Sequence, residues 1–399
     1  MSKPLSGTTI VDLTHMLSGP YCTMVLADLG ARMIKVEPPG GEATRKLLAK
    51  DPKNSVRGMG AYYLTLNRNK ESVGIDLKNS KGLALFYELC QHVDIVINNF
   101  GPGVPKRLGV DFESLSRHNP RIITCSITGF GESGPAANRP AFDQIAQGMG
   151  GGMSITGYPD GEPLRAGIPI GDLGGGLFGV VGVLAALNSR HHTGRGQHID
   201  ISMLDAQISL LNYMATMYFL SGEIPQRLGN GHFAHVPYNT FRTQDRWIIV
   251  AVVADGGWLG LVDAFDVEDL RSKEFLTQPG RWKNREYINQ RVAEILATRS
   301  CDFWLDLLAK HKVPCAPVND FEHALSDAQV RARNMVVDVK HPGGDIVRMP
   351  GNPVKLSETS ADTFDPPPLL GQDTDTVLSN LLGKSGAEVA TLRAEGVVF

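Results

Sequence analysis

Cysteine is scarce in this 399-residue sequence, and its spacing matches no disulfide or metal motif. An odd number of isolated cysteines without a Cys-x-x-Cys pair excludes a disulfide framework and a cysteine-ligated zinc site. We therefore predict no metal, a cytoplasmic location and cysteines that serve as small buried apolar residues. The five are Cys22, Cys90, Cys125, Cys301 and Cys315.

The sequence also lacks an excess of charge and a long apolar run. Its formal net charge is −3 and its lysines and arginines do not cluster, which indicates no nucleic-acid partner. Residues 1–7 contain no apolar segment of the kind a secretory signal needs. The longest apolar run, residues 177–187, is shorter than the roughly 20 residues that cross a bilayer. We expect small-molecule substrates and no membrane partner.

The first half of the sequence alternates short β-branched runs with helical patterns. This alternation is typical of β-α units on a mostly parallel sheet, and it predicts an α/β fold with a large Rossmann-like, nucleotide-binding-type domain. The predicted strands are residues 9–13, 33–36, 72–77, 94–97, 122–127 and 198–202, and the predicted helices are residues 21–29, 82–91, 112–117 and 204–220.

A break in the pattern at residues 227–231 marks a domain boundary. We predict a large domain over residues 1–225, a smaller α+β domain over 226–325, and a C-terminal segment, 326–399, that returns to the large domain.

A dinucleotide-binding fingerprint is formally present at Gly174-x-Gly176-x-x-Gly179, with Asp200 downstream. The fingerprint needs a strand directly before it, but residues 166–172 contain one proline and two glycines. We interpret these glycines instead as small residues that let a helix pack closely against a neighbour.

Asp172 precedes an apolar helical stretch, and two interpretations of it stay open. As an N-cap, its carboxylate would accept backbone N–H bonds. Among small residues it would also be sterically open, and a helix N-terminus would hold it ionised as a usable nucleophile. The histidine that follows the first strand, His15, is likewise either structural or ligand-facing. The serine-hydrolase motif Gly-x-Ser-x-Gly is missing.

A series of ordered motifs resembles the family III CoA-transferases over essentially the whole chain, including the formyl-CoA or acetyl-CoA:oxalate and succinyl-CoA:dicarboxylate branches. The motifs are residues 5–15, Gly19-Pro20, residues 29–38, Asn69-Lys70, Asp76-Leu77-Lys78, residues 99–103, Gly129-Phe130-Gly131, residues 171–175, residues 194–197 and residues 370–374.

The resemblance implies that Asp172 is the catalytic nucleophile, that the protein is an interlocked homodimer, and that no cofactor is needed beyond coenzyme A as cosubstrate. It also implies a set of CoA-binding residues, among which lysine and arginine would meet phosphates. These are His15, Ser18, Leu77, Lys78, Asn99, Phe100, Gly101, Arg107, Arg139 and Phe142.

The implied activity moves CoA from an acyl-CoA, acetyl-CoA or succinyl-CoA, to a small carboxylic or dicarboxylic acid through a covalent aspartyl intermediate. One alternative is a 2-methylacyl-CoA racemase, but Phe142 stands where the racemases carry a histidine base. An inactive CoA-binding protein is the other alternative, and the intact Asp172 argues against it.

Two further residues are candidate substrate contacts. The segments around Arg165 and His232 resemble the branch that uses small diacids, and the chain lacks the glycine run of formyl-CoA:oxalate transferases. Arg165 could pair with the second carboxylate of a diacid. An ordinary salt bridge from Arg165 to Asp160 or Glu162 is the open alternative.

Overall fold

The computed structural model describes residues 3–359 and 362–399, and its first part alternates strands with helices. Its elements are β1 (Thr9–Asp12), α1 (Ser18–Asp28), β2 (Arg32–Glu37), β3 (Ser55–Val56), β4 (Met59–Gly60), α2 (Ala61–Leu66), β5 (Lys70–Gly74), α3 (Ser80–Cys90), β6 (Ile95–Asn98), α4 (Val104–Leu108), α5 (Phe112–Ser116) and β7 (Ile123–Thr128).

Helices dominate the rest of the chain. The elements are α6 (Asp143–Met149), α7 (Gly152–Ile155), α8 (Ile170–Thr193), β8 (His198–Ser202), α9 (Met203–Leu211), α10 (Tyr213–Ser221), β9 (Tyr238–Arg242), β10 (Trp247–Ala251), α11 (Asp255–Phe265), α12 (Gln278–Lys283), α13 (Arg285–Leu296), α14 (Cys301–Lys310), β11 (Cys315–Pro317), α15 (Phe321–Ser326), α16 (Ala328–Ala332), β12 (Val336–Lys340), β13 (Ile346–Pro350), α17 (Thr374–Leu382) and α18 (Gly386–Ala394). Short 3₁₀ turns lie at Ala43–Arg45, Glu268–Leu270 and Lys273–Leu276.

A six-stranded parallel sheet in the order β5-β2-β1-β6-β7-β8 forms the centre of the larger unit. Successive residues of β1 point to opposite faces, so Ile10 packs in one apolar cluster and Val11 in another. Because both faces are covered, the two central strands carry consecutive apolar residues, Ile10 and Val11 in β1 and residues 95–97 in β6. The predicted α/β class with a parallel central sheet is confirmed.

The sheet order places a topological switch point between β1 and β6. The chain runs outward from β1 through β2 to β5 on one side, and from β6 through β7 to β8 on the other. In open parallel sheets, ligands bind outside the carboxyl ends of the strands at such a point. The loops after β1 and β6 are therefore where a site is expected.

Helix α8 carries the glycines of the formal dinucleotide fingerprint, and the structure agrees with the packing interpretation. The glycines lie within the helix rather than in a strand-to-helix turn. A Cβ added at Gly176 would lie 2.7 Å from the carbonyl oxygen of Ser18, and one added at Gly179 would lie 3.0 Å from the Sγ of Cys22. Small residues thus let α8 lie directly against α1.

The apolar stretch of α8 is longer than residues 177–187. By length and composition the whole helix could cross a membrane, although half of its most apolar part is buried within the protein. A core helix passes the same test, and α8 packs on α1 and β7. The expectation of no membrane partner stays a prediction.

The chain divides into two compact units, one formed by Met1–Gly152, Arg165–Leu220 and Ala328–Phe399 and the other by Met153–Leu164 and Ser221–Asp327. The second unit contains the antiparallel sheet β11-β10-β9 and helices packed around Trp258. Its long segment starts five residues before the predicted boundary at 226 and ends two after 325. The segment Met153–Leu164, predicted within the large domain, belongs to this second unit.

Candidate active site

An inner cavity of about 240 Å³ lies at the carboxyl ends of β1, β6 and β7. The loops after these strands form three of its walls, and the start of α8 contributes Asp172. The switch point of the sheet is therefore the place where the candidate nucleophile meets open space. Its lining includes His15, Ser18, Tyr62, Asn99, Phe100, Gly101, Arg139, Phe142 and Asp172.

The loop after β1 is tied to the loop after β6 by paired hydrogen bonds. The backbone N–H of His15 donates to Oδ1 of Asn99 at 2.9 Å, and Nδ2 of Asn99 donates to the carbonyl of His15 at 2.7 Å. The rings of His15 and Phe100 lie 5.7 Å apart. The amide of Asn99 thus fixes the two loops across the switch point.

A fully buried ionic cluster supports the same loop from below. Nζ of Lys70 donates to Oδ2 of Asp12 at 2.9 Å, and Nζ of Lys35 donates to the carbonyl of Thr14 at 2.8 Å. Burial alone would raise the pKa of Asp12, but Lys35 and Lys70 hold it well below its usual range. Burial lowers the pKa of Lys70 to about 8, against the attraction of Asp12. The cluster fixes the end of β1 and the loop that carries His15.

An outer cavity of about 680 Å³ adjoins the inner one. Apolar side chains such as Leu77 line part of it, and Lys78 and Arg107 are exposed there. Within the described residues, neither cation has an ion-pair partner. A large cavity with an apolar wall and free cations is chemically suited to a phosphorylated ligand.

The two cavities share His15 and Phe100. Each residue that the resemblance implies for CoA lines at least one of them. The inner cavity contains Ser18, Asn99, Gly101, Arg139 and Phe142, and the outer cavity contains Leu77, Lys78 and Arg107. The structure therefore brings these residues together around one continuous lining, while their contact with CoA stays a prediction.

The N-cap interpretation of Asp172 is wrong. Helix α8 begins at Ile170 after Pro169, so Asp172 lies inside the first turn and caps nothing. Among the residues that the structure describes, none donates a hydrogen bond to its carboxylate. Burial, followed by repulsion from Asp143, raises the pKa of Asp172 to about 6. The expectation that the helix end favours the ionised form is therefore not met.

Tyr62 is a site residue that the sequence did not reveal. It lies on α2 and lines the inner cavity together with Asp172. Burial, followed by the charge of Asp172, raises its pKa to about 12, so the phenol remains a hydrogen-bond donor. Burial and Lys35 lower the pKa of the nearby His15, which favours its neutral form. Nothing in the local pattern of residues 61–66 marks one tyrosine as functional.

The two candidate substrate contacts lie outside the linings of both cavities. The guanidinium of Arg165 is exposed and donates to the carbonyls of Ala166 and Gly167 at 3.0 and 3.2 Å. In the second unit, Nδ1 of His232 accepts the backbone N–H of Ala234 at 3.0 Å. Substrate roles for Arg165 and His232 stay predictions.

The cysteines are free, and four of them are buried. Cys315 is half-buried, so the expectation that each cysteine is buried is wrong there. Within residues 3–359 and 362–399, no group of three His, Cys, Asp or Glu side chains is placed to hold a metal ion.

Comparison with known proteins agrees with this geometry. A family model described as CoA-transferase family III matches residues 5–374. A succinyl-CoA:mesaconate CoA-transferase of Haloarcula hispanica is 36% identical over 98% of this chain and 98% of its own. An acetyl-CoA:oxalate CoA-transferase of Acetobacter aceti is 39% identical over 89% of each chain.

A solved structure shows the same fold. The crystal structure of a CAIB/BAIF family protein from Brucella suis is 35% identical and covers 96% of this chain and 100% of its own, with a TM-score of 0.85. The predicted family and enzyme class are confirmed. Since one family model spans nearly the whole chain and full-length relatives share more than a third of its residues, the protein belongs to CoA-transferase family III.

Proposed function

We propose that the protein transfers CoA from succinyl-CoA or acetyl-CoA to a small dicarboxylic acid, with Asp172 as the covalent nucleophile. The observation that carries this proposal is a carboxylate on the wall of a cavity, next to a larger cavity with two cations. Among the described residues, the carboxylate has no hydrogen-bond donor and the cations have no ion-pair partner. A carboxylate in such a place is open to attack an acyl group, while the cations are available for CoA phosphates.

The reaction begins when an Asp172 carboxylate oxygen attacks the thioester carbonyl. The carbon–sulfur bond breaks, CoA leaves as a thiolate, and a mixed anhydride forms. The thiolate then attacks the aspartyl carbonyl, which gives an enzyme–CoA thioester and releases the donor acid as a carboxylate. The acceptor carboxylate attacks this thioester, and the released thiolate attacks the acceptor's acyl carbon to form the new acyl-CoA and restore Asp172.

The charge state of Asp172 suits this role. At neutral pH a carboxyl group with a pKa of about 6 is ionised and can attack. A carboxylate of higher basicity is also a stronger nucleophile than an ordinary aspartate. Because the protonated form cannot attack, turnover should fall as the pH decreases through about 6.

The acceptor class is supported by the names of the relatives and by one side chain. Both names pair a CoA ester with a dicarboxylic acid, mesaconic or oxalic. Arg139 lines the cavity of Asp172, stacks 5.2 Å over Phe130 and has no ion-pair partner in the described part of the chain. A guanidinium in this position can bind the carboxylate that does not react.

We also propose that the enzyme is an interlocked homodimer, as its family resemblance implies. Support comes from large apolar side chains left exposed on α8 and α10, with Val181 60%, Phe219 80% and Leu220 83% exposed. Exposed apolar side chains that together form a patch typically mark an interface. Light scattering should give twice the 43.2 kDa chain mass. Tagged and untagged dimers should not exchange subunits unless they are unfolded, and a monomer would contradict the proposal.

A panel of small carboxylic acids tests the activity. The enzyme is mixed with succinyl-CoA or acetyl-CoA and each acid, and the new acyl-CoA is read by mass. Rapidly denatured enzyme should carry an added CoA mass on the peptide that contains Asp172. Transfer only to large hydrophobic acids would contradict the substrate class. Solvent deuterium entering 2-methylacyl-CoA without any CoA transfer would favour the racemase instead.

A further inference from the structure

The N-terminus of α8 is capped by a carboxylate from another helix. Pro169, at the N-cap position, offers no side-chain acceptor. Oδ1 of Asp143, the first residue of α6, instead accepts the backbone N–H of Gly171 at 2.8 Å and that of Asp172 at 3.3 Å. The helix that bears the nucleophile is therefore anchored by a residue 29 positions earlier in the chain.

The capping carboxylate is itself fixed in place. Nε2 of Gln147, one turn further along α6, donates to Oδ2 of Asp143 at 2.7 Å. Oε1 of Gln147 accepts the backbone N–H of Ala166 at 2.9 Å. Gln147 is only 2% exposed, so its amide has little freedom to reorient. Both oxygens of Asp143 are thus committed, and the segment leading into α8 is held by the same amide.

This arrangement changes the electrostatics at the nucleophile. The free N–H groups of a helix N-terminus normally stabilise a nearby negative charge. Here Asp143 occupies two of them and adds a negative charge of its own, which repels the carboxylate of Asp172. Burial raises the pKa of Asp172 in the same direction.

We propose that Asp143 is a positioning residue for the nucleophile: it holds the backbone of Asp172 in place, and it keeps the Asp172 carboxylate basic by placing its own negative charge on the helix-end N–H groups. This inference rests on the proposed function, since it concerns the reactivity of the same carboxylate. It assigns to Asp143 no contact with substrate.

Other titratable groups also face Asp172. Tyr62 reaches the cavity from α2, His15 from the loop after β1, and Arg139 from the loop before α6. Tyr62 and His15 favour their neutral forms at neutral pH, and the positive charge of Arg139 would act in the opposite direction to Asp143. Among these groups in the described structure, Asp143 alone binds the backbone of the nucleophile.

The test is Asp143→Asn in the full-length enzyme. The amide oxygen of the variant can still accept both N–H groups, whereas the charge and the acceptor for Nε2 of Gln147 are removed. We expect the acid limb of the pH profile of kcat/KM to move down by about one pH unit. The same downward shift should appear when the Asp172 carboxyl is titrated directly by ¹³C NMR. Asp111→Asn is the matched control, because Asp111 caps α5 through Ser114 and does not line the inner cavity.

The outcomes separate this inference from the proposed function. Wild-type enzyme without transferase activity would defeat the proposed function, whereas an active Asp143→Asn enzyme with the wild-type acid limb and titration would overturn only the role of Asp143. If Asp143→Asn does not fold, Asp143→Ser supplies a second neutral acceptor with the same expected shift. If neither variant folds, Asp143 is required for the stability of the fold, and the inference is overturned.

Discussion

Two carboxylates of the larger unit, Asp12 and Asp172, lie close to the same switch point and have opposite properties. Asp12 is fully buried, accepts hydrogen bonds from Thr14, Thr23 and Lys70, and has a lowered pKa. Asp172 is partly buried, accepts no hydrogen bond within the described residues, and has a pKa raised to about 6. Both carboxylates are surrounded by protein, so the opposite pKa shifts result from the groups that contact each of them.

The comparison teaches how to separate structural from reactive charges in this fold. A charge whose partners are supplied by the chain is already stabilised and has no reason to react. A buried charge without partners destabilises the fold. Such a charge beside a cavity is typical of a functional site, where the bound substrate supplies the missing partner. Lys78 and Arg139 share with Asp172 a place on a cavity wall and the lack of an ion-pair partner in the described structure, but both are exposed and therefore solvated without substrate.

The largest effect is expected for Asp172→Asn. Removing the attacking oxygen's charge should lower turnover by roughly 10⁴-fold or more, as loss of a nucleophile does in other enzymes. The free energy of unfolding should stay the same or rise, because no donor among the described residues bonds to the carboxylate and would lose its partner. Activity assays and urea denaturation measure the two quantities. Asp172→Ala guards against deamidation of the asparagine, and an active alanine variant would contradict the mechanism.

The opposite pattern is expected for Asp12→Asn. The change leaves Lys35 and Lys70 buried without their anion, which should cost about 3–5 kcal/mol of stability. An unfolded aspartate titrates near pH 4, above the lowered pKa of Asp12 in the fold. The stabilisation is therefore present above about pH 4 and is lost as the pH falls below it.

Urea denaturation of wild type and Asp12→Asn at several pH values measures this difference. The gap in unfolding free energy should be wide at pH 7 and should decrease progressively as the pH falls from about 4 toward the lowered pKa of Asp12. Asp306→Asn, on the exposed face of α14, is the control and should change stability by less than about 0.5 kcal/mol. If Asp12→Asn had wild-type stability, Asp12 would not be a structural charge, and the proposed distinction between Asp12 and Asp172 would be wrong.

Much of the sheet could be predicted from the sequence, because buried β-branched runs leave a clear pattern. Strands β1, β2, β6, β7 and β8 lie within one or two residues of their predicted positions. The predicted strand 72–77 is shifted, since β5 spans Lys70–Gly74. The predicted helix 204–220 is two helices that meet at Asn212, whose φ is +48°. A single backbone angle of that kind has no periodic signal.

Some features of the candidate site could likewise be predicted from the sequence, and others could not. Asp172 and the residues around CoA could be found because they belong to ordered motifs. The environment of Asp172 could not, because its capping residue Asp143 lies on another helix and Tyr62 lies on a third. The sequence placed Asp172 at a helix end and from this predicted a stabilised charge. The tertiary contact that reverses this effect depends on packing between α6 and α8.

A smaller effect is expected at the outer cavity. Lys78→Ala should raise KM for the acyl-CoA about tenfold, or about 1.4 kcal/mol, because one charge-assisted contact to a phosphate is lost. KM for the acid and kcat should change little. Lys81→Ala is the matched control, since Lys81 already pairs with Glu395 at 2.7 Å on the surface. If Lys78→Ala and Lys81→Ala changed KM for the acyl-CoA equally, Lys78 would be an ordinary surface charge without a specific contact to CoA.

The smallest effect is expected at the two arginines that could bind the second carboxylate of the acceptor. Arg139 lines the cavity of Asp172 without an ion-pair partner in the described residues, whereas Arg165 donates to two carbonyls beside it. Because Arg139 is exposed, its contact with a carboxylate should contribute at most about 1 kcal/mol. Arg139→Met should therefore raise KM for dicarboxylates up to about fivefold and leave monocarboxylates nearly unchanged. Arg165→Met should change KM for dicarboxylates and monocarboxylates equally. If instead Arg165→Met raised KM only for dicarboxylates and Arg139→Met did not, Arg165 would be the substrate contact. That result would contradict the rule, drawn from Asp12 and Asp172, that reactive charges lack partners within the protein.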